Sequence, residues 1–240
     1  MHAERIPIPV SPPLTRAYIE RTDPELLAMF GGHAADPSAW RARAAALEDA
    51  GRYGADRRSV ADALGDYNRR IGGSDRTAAH IGQLADGALA VVGGQQAGLF
   101  TGPVMVIHKA ITIIQAARWA ERETGRRVVP VFWIAGEDHD WQEANHAYVV
   151  NESAGLKRIA VEREEHPRTS VSRTRLDRER LAGAFRELSE SLPDTDHKPA
   201  LLDRIESAVG RAATLTELFA ALMAGLFADE GLVLDRKSVV

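Results

Sequence analysis

Between residues 88 and 134 the chain passes through a succession of segments that leaves few folds open. Ala88–Val92 (ALAVV) is a short uncharged run bounded by glycines, the pattern of a strand buried on both faces. A glycine-rich loop follows at Gly93–Pro103 (GGQQAGLFTGP), then a helical pattern from Val104 to about Thr124 that closes at Gly125. Within it Ile107, Ala110, Ile111, Ile114 and Ala117 recur at three- and four-residue steps and predict one apolar stripe. Val128–Ile134 (VVPVFWI) is a second strand of buried type, ending in Ala135 and Gly136. Strand, loop, helix, strand is a βαβ crossover, which brings the C-terminal ends of both strands to one edge of a parallel sheet. The first strand is expected to end by Gly94 and the helix to begin near Pro103. The stretch Gly87–Ile107 carries no charge, yet its glycines, glutamines and Pro103 make it a strand, a loop and a helix start rather than a membrane span.

The flanks supply the rest of an α/β architecture. Residues 1–86 read as a Pro-containing arm, Ile6 to Pro13, followed by short amphipathic helices that pack on the core: Pro24–Phe30, Ser38–Leu47, Arg57–Ile71 and Ser74–Leu84. His33 and His80 fall here as packed or solvated helix histidines rather than ligands. Residues 87–234 are the core itself. Ala147–Val150 and Leu156–Val161 are matched for an antiparallel hairpin. Helical patterns follow over Asp177–Ser191, Leu201–Gly210 and Leu215–Ala228, and Leu232–Leu234 opens a further strand. The Arg-rich run Arg163–Arg180 is interleaved with acids and reads as a solvated face. Residues 235–240 (DRKSVV) are expected to be a non-native tail, so the core is expected to be truncated.

Composition narrows the class of partner. Thirty Lys and Arg against 34 Asp and Glu give a formal charge of −4, which removes a global electrostatic case for nucleic acid or an anionic membrane. With no cysteine, a disulfide framework, a thiolate nucleophile and Cys-ligated zinc are excluded, and a cytoplasmic location is the expectation. No basic region followed by an apolar run opens the chain, so no secretory signal is expected.

Chemistry concentrates at the two strand ends. Gly94 and Gly102, with Gln95, Gln96 and Thr101 between them, precede a helix start, where unpaired N–H groups favour an anion. The spacing matches neither the dinucleotide-binding nor the P-loop fingerprint. His108 and Lys109 lie in the second turn of the helix, placed to stabilise negative charge on a transferred or leaving phosphate. Glu137, Asp138, His139 and Asp140 are the densest polar cluster in the chain, with Asn145 and His146 close behind. Three readings of this cluster stay open: oxygen and imidazole ligands for a divalent metal, metal-free acid/base and recognition groups, or an acidic turn capping the segment Trp141–His146. On the residues alone, a metal-dependent nucleotidyltransferase or hydrolase and a non-catalytic nucleotide- or carboxylate-binding module compete with other enzyme classes.

Two blocks, Val91–Ile111 and Val129–His146, closely resemble the bacillithiol-biosynthesis cysteine-adding enzymes, the cysteine ligase BshC family. A weaker similarity runs along the whole chain and corresponds to about the N-terminal half of a family member. The resemblance implies a Rossmann-like core related to nucleotidylyltransferases, with a C-terminal coiled coil, beyond this chain, that supports a homodimer. It implies a ligase joining cysteine to glucosaminyl-malate, with ATP or another nucleotide activating the carboxyl group as an acyl phosphate or adenylate. The metal requirement is open and no metal ligand is assigned. Gln95, Gln96, Thr101, His108, Lys109, Asp138, His139, Asp140 and His146 carry over as matching motif positions, with His108, Asp138, His139 and Asp140 the catalytic candidates.

Overall fold

The computed structural model describes residues 10, 12–48, 56–151, 153–163 and 169–236. Most of the Pro-containing arm therefore lies outside the described residues, as do four of the six residues of the expected tail. The chain divides into two compact units, Met1–Gly54 with Ala120–Gly125, and Ala55–Trp119 with Arg126–Val240.

The smaller unit is helical: α1 (Pro13–Glu20), α2 (Pro24–Met29) and α3 (Pro37–Glu48). Helix α1 falls where the sequence suggests only the end of the arm. Pro13 is its first residue, a position where proline's missing N–H costs nothing, so the proline expected to end the arm is a helix start. Asp23 caps α2 by accepting the N–H groups of Glu25 and Leu26. The Tyr18 ring stacks on His33 at 4.8 Å and its hydroxyl accepts the Ala34 N–H at 2.8 Å, so His33 is a packing residue.

The larger unit begins with α4 (Arg57–Ile71) and α5 (Asp75–Ala85), followed by β1 (Leu89–Gln96), α6 (Met105–Thr124), whose residues from Ala120 on belong to the smaller unit, and β2 (Val128–Ala135). Then come α7 (Trp141–Ala144), the hairpin β3 (His146–Val150) and β4 (Leu156–Ala160), α8 (Arg178–Ser191), α9 (Lys198–Arg211), α10 (Leu215–Leu226) and β5 (Val233–Arg236). Strands β1, β2 and β5 form a parallel sheet in the order β1-β2-β5, with Leu89 opposite Val128 and Gln96 opposite Ala135. The hairpin pairs antiparallel, His146 opposite Ala160.

Three expectations are corrected. Strand β1 is not buried on both faces: it is an edge strand, with Val92 58% exposed, while central β2 buries Val129, Phe132 and Ile134 completely. The strand also continues two residues past Gly94. Pairing persists because a Cβ at Gly94 would stand 2.1 Å from the Trp133 carbonyl oxygen, so only glycine lets β1 stay this close to β2. On α6 the buried stripe is Val106, Ala110, Ile113, Ile114 and Ala117; Ile111 is 42% exposed. The same spacing supports both phases, and contact with β2 and α10 decides between them.

One core joins α6, β2, α10 and β5 through Ile114, Phe132, Phe219 and Leu234; α4 and α5 cover β2 and β5 with Leu64 and Ile81. Buried Asn68 on α4 ties that layer to the sheet, donating to the Leu234 carbonyl at 2.8 Å and accepting the Leu234 N–H at 3.1 Å. His80 bonds the Gly231 carbonyl through Nδ1 at 2.6 Å, a structural role. A separate core packs the hairpin against α8, α9 and the start of α10, with Leu99 and Trp141 inserted into it.

Candidate functional site

The glycine-rich loop and the acidic turn meet at the C-terminal edge of the sheet, as the crossover requires. The Gln96 side-chain amide donates to the Asp140 carbonyl oxygen at 3.4 Å, linking the end of β1 to the turn after β2. Lys109 reaches back from α6 to the same strand end. Its ammonium donates to the Gln95 Oε1 at 2.6 Å and to the Gly94 carbonyl at 3.2 Å. An ammonium has three donors, so one remains for an anion at this edge.

The loop is built for close packing. Ala97 and Leu99 are fully buried, and a Cβ at Gly98 would lie 2.9 Å from the Gly102 Cα. Closing so tight a turn places Phe100 at φ 50° and Thr101 at φ 77°, both left-handed, the second a β-branched residue. Gly94 and Gly98 thus serve chain-to-chain approach first. The strain carried by Thr101 lies four residues before the first residue of α6.

In the turn after β2, Asp138 accepts the N–H groups of His139 and Asp140 through Oδ1, at 2.6 and 3.2 Å. His139 Nδ1 lies 3.5 Å from the same oxygen. Asp140 caps the single turn α7 by accepting the Glu143 N–H at 3.1 Å. The capping role weighed for this cluster is therefore real at Asp140, yet each carboxylate keeps a second oxygen. Asp138, His139, Asp140, Trp141, Gln142 and Arg163 line an open cavity of about 340 Å³. Glu137 is exposed. Among the described residues no group of three or more His, Asp or Glu could hold a metal ion.

Three candidates remain, Asn145, His146 and His108. Asn145 is completely buried with its side-chain amide nitrogen unpartnered; its Oδ1 lies 3.3 Å from His146 Nδ1. His146 sits on β3 with its ring edge-on to Tyr148. His108 is exposed on α6, and its side chain makes no hydrogen bond among the described residues.

A second cavity at this edge has no signal in the sequence. Tyr67, Arg70, Arg211, Thr216, Glu217 and Arg236 line about 250 Å³ beside the end of β5. The Tyr67 and Thr216 hydroxyls are buried without partners there, and burial pushes the Tyr67 phenol up to about 12. Thr216 lies in the first turn of α10, packed where a Cβ on Gly136 would meet its Oγ1 at 3.0 Å. Both residues look like ordinary helix positions until α4 and α10 converge.

A parallel α/β sheet with a glycine-rich βα loop and a polar cluster at the strand ends defines a Rossmann-like domain. Residues 1–237 match the family model for the N-terminal Rossmann-like domain of the bacillithiol biosynthesis protein BshC, and the chain belongs to this family. It is 39% identical over 234 residues to a protein of Geobacillus kaustophilus named "Putative cysteine ligase BshC", covering 97% of this chain and 42% of that protein. The protein of the same name from Salinibacter ruber is 41% identical over 202 residues, covering 82% of this chain and 37% of that protein. The chain thus spans about two fifths of the curated relatives it matches. No helix among the described residues is long and apolar enough to cross a membrane.

Proposed function

We propose that this chain supplies the N-terminal part of the site of an ATP-dependent ligase that joins cysteine to the amine of glucosaminyl-malate. The observation that supports it most is the Gln96 to Asp140 bond together with the Lys109 tether, which draws both family motifs to one sheet edge. Lys109, Gln96 and Thr101 are the residues to hold the nucleotide's phosphates, Lys109 through its remaining N–H. ATP would activate the cysteine carboxyl group as an acyl phosphate or adenylate, and phosphate or AMP leaves as its bond to the acyl carbon breaks and the C–N bond forms. Asp138 and His139 act on the acceptor amine: the carboxylate orients the imidazole, which takes the proton released as the C–N bond forms. Asp140 holds the turn, and His108 stabilises negative charge at the helix start. A cytoplasmic location and, for the full-length protein, a homodimer formed through a coiled coil are part of the same proposal.

The test is made on a full-length relative given glucosaminyl-malate, cysteine and ATP, with the adduct followed by mass spectrometry. Replacing the residues aligned with His108 or Asp138 by alanine abolishes the adduct with the fold intact. Failure of the unaltered protein to form the adduct with any nucleotide overturns the ligase reading.

A further inference from the structure

In the smaller unit, the loop joining α2 to α3 forms one wall of a pocket of about 590 Å³, lined from residues 18 to 43, a stretch described throughout. Tyr18, Met29, Phe30, His33, Trp40 and Arg43 line it. The Tyr18 ring stacks on His33 at 4.8 Å and meets the Phe30 ring edge-on at 5.1 Å. The Ala34 N–H donates to the Tyr18 hydroxyl, and the Ala34 carbonyl accepts the Trp40 indole N–H, each at 2.8 Å. Both rings are therefore anchored to one residue. Gly32, at φ 109°, lets the loop lie against α3, since a Cβ there would stand 2.6 Å from the Ala39 Cβ. Trp40 and Arg43, three residues apart on α3, share a face of that helix.

The polar side-chain groups left over on these walls are mainly donors. Tyr18 accepts the Ala34 N–H through its oxygen and keeps its own hydroxyl hydrogen. His33 Nδ1 accepts the Ala35 N–H at 3.1 Å, which puts the proton of the neutral ring on Nε2. Arg43 is exposed and forms no ion pair or hydrogen bond among the described residues. No carboxylate lines the pocket among the described residues. An ionised carboxylate, which only accepts, matches such a set. The remaining wall is apolar and wet, with Met29 85% and Phe30 60% exposed, so a ligand gains by covering it. The volume falls in the range of small-molecule sites, and the rings favour an aromatic body through stacked or edge-on contacts. Aromatic walls also attract cations, but the unpaired Arg43 guanidinium in the same wall repels one.

We propose that this pocket binds a small aromatic carboxylate, its ring against Phe30, His33 and Trp40 and its carboxylate on Arg43. The site stands apart from the ligase reading, none of whose reactants joins an aromatic ring to a carboxylate. Naphthylacetate is titrated calorimetrically into the 240-residue chain, beside acetate, which lacks the rings, naphthylacetamide, which lacks the charge, and naphthylethylamine, which reverses it. Naphthylacetate binds, and each of the other three binds weaker by roughly tenfold or more. Arg43→Gln lowers the affinity for naphthylacetate roughly tenfold, the loss of one charge-assisted hydrogen bond, and affects the amide less. Phe30→Ala, at an exposed ring, weakens acid and amide alike. Arg41→Gln removes a cation of the same helix that is paired with Glu123 at 2.9 Å, and changes neither affinity. The comparison of the four compounds uses the unaltered chain, so it decides the matter even where a variant fails to fold. The proposal is overturned if naphthylacetate does not bind, if the amide or the amine binds as tightly, or if a folded Arg43→Gln protein keeps full affinity. It is also overturned if a short peptide ending in phenylalanine binds roughly tenfold tighter than naphthylacetate, which would make the pocket a reader of protein C-termini.

Discussion

At the scale of single residues, the site edge carries a conformational cost that the fold sustains. Thr101 at φ 77° is a β-branched residue in the left-handed region, worth roughly 1–3 kcal/mol of strain. Thr101→Gly is expected to raise stability by about 1 kcal/mol after the entropy cost of glycine, read as a higher urea midpoint. The corresponding change in a full-length relative is expected to lower adduct formation at least tenfold; an undiminished rate would show that Thr101 holds no ligand. Tyr67 gives a pH prediction. Its phenol titrates at about 12 when folded, chiefly because it is buried, against 10.0 in the open chain. The folded state therefore holds its proton longer. The stabilisation is complete below pH 10 and is lost as pH rises through the folded value, an integrated loss of roughly 2–3 kcal/mol. Tyr67→Phe should abolish that part of the alkaline decline, seen as the difference between the two proteins' denaturation midpoints from pH 9 to 12. Identical declines would show that the phenol does not report burial.

At the scale of elements, the β1–β2 contact is the hinge of the whole arrangement. Gly94→Ala drives a Cβ into the Trp133 carbonyl, backbone against backbone, with no flexible side chain to yield. A loss of about 3 kcal/mol is expected by chemical denaturation, because the strands must separate or slip. A stable Gly94→Ala protein would mean that β1 ends earlier, as the sequence alone suggests. Much of the element layout is legible in the residues: Pro24, Ser74, Asp177 and Thr214 mark helix starts, and Gly72 and Gly125 mark helix ends. Less legible are the features set by neighbours. Helix α6 carries Ile111 and Ile113 two residues apart, and only packing selects Ile113 for the core. Helix α1 is hidden because prolines at 12 and 13 look like an arm when no tertiary partner is in view.

At the scale of the molecule, the parallel sheet has three strands, so β1 and β5 each present one side without a strand partner among the described residues. Unpaired strand edges are templates for pairing, and concentration-dependent association of the isolated chain is expected by analytical ultracentrifugation. A monomer at every concentration would show that both edges are covered. The chain should also form no cysteine adduct by itself, as about three fifths of the relatives' length lies outside its match. Local sequence determined the crossover, its direction and the meeting of the two motif blocks, because short apolar strands around one helix have a single workable geometry. It could not determine which strand is the edge, which hydroxyls are stranded at the end of β5, or that Tyr18, His33 and Trp40 line one pocket. Those properties belong to contacts between segments distant in the chain, and burial, charge and strain take their values only once α3, α4 and α10 are in place.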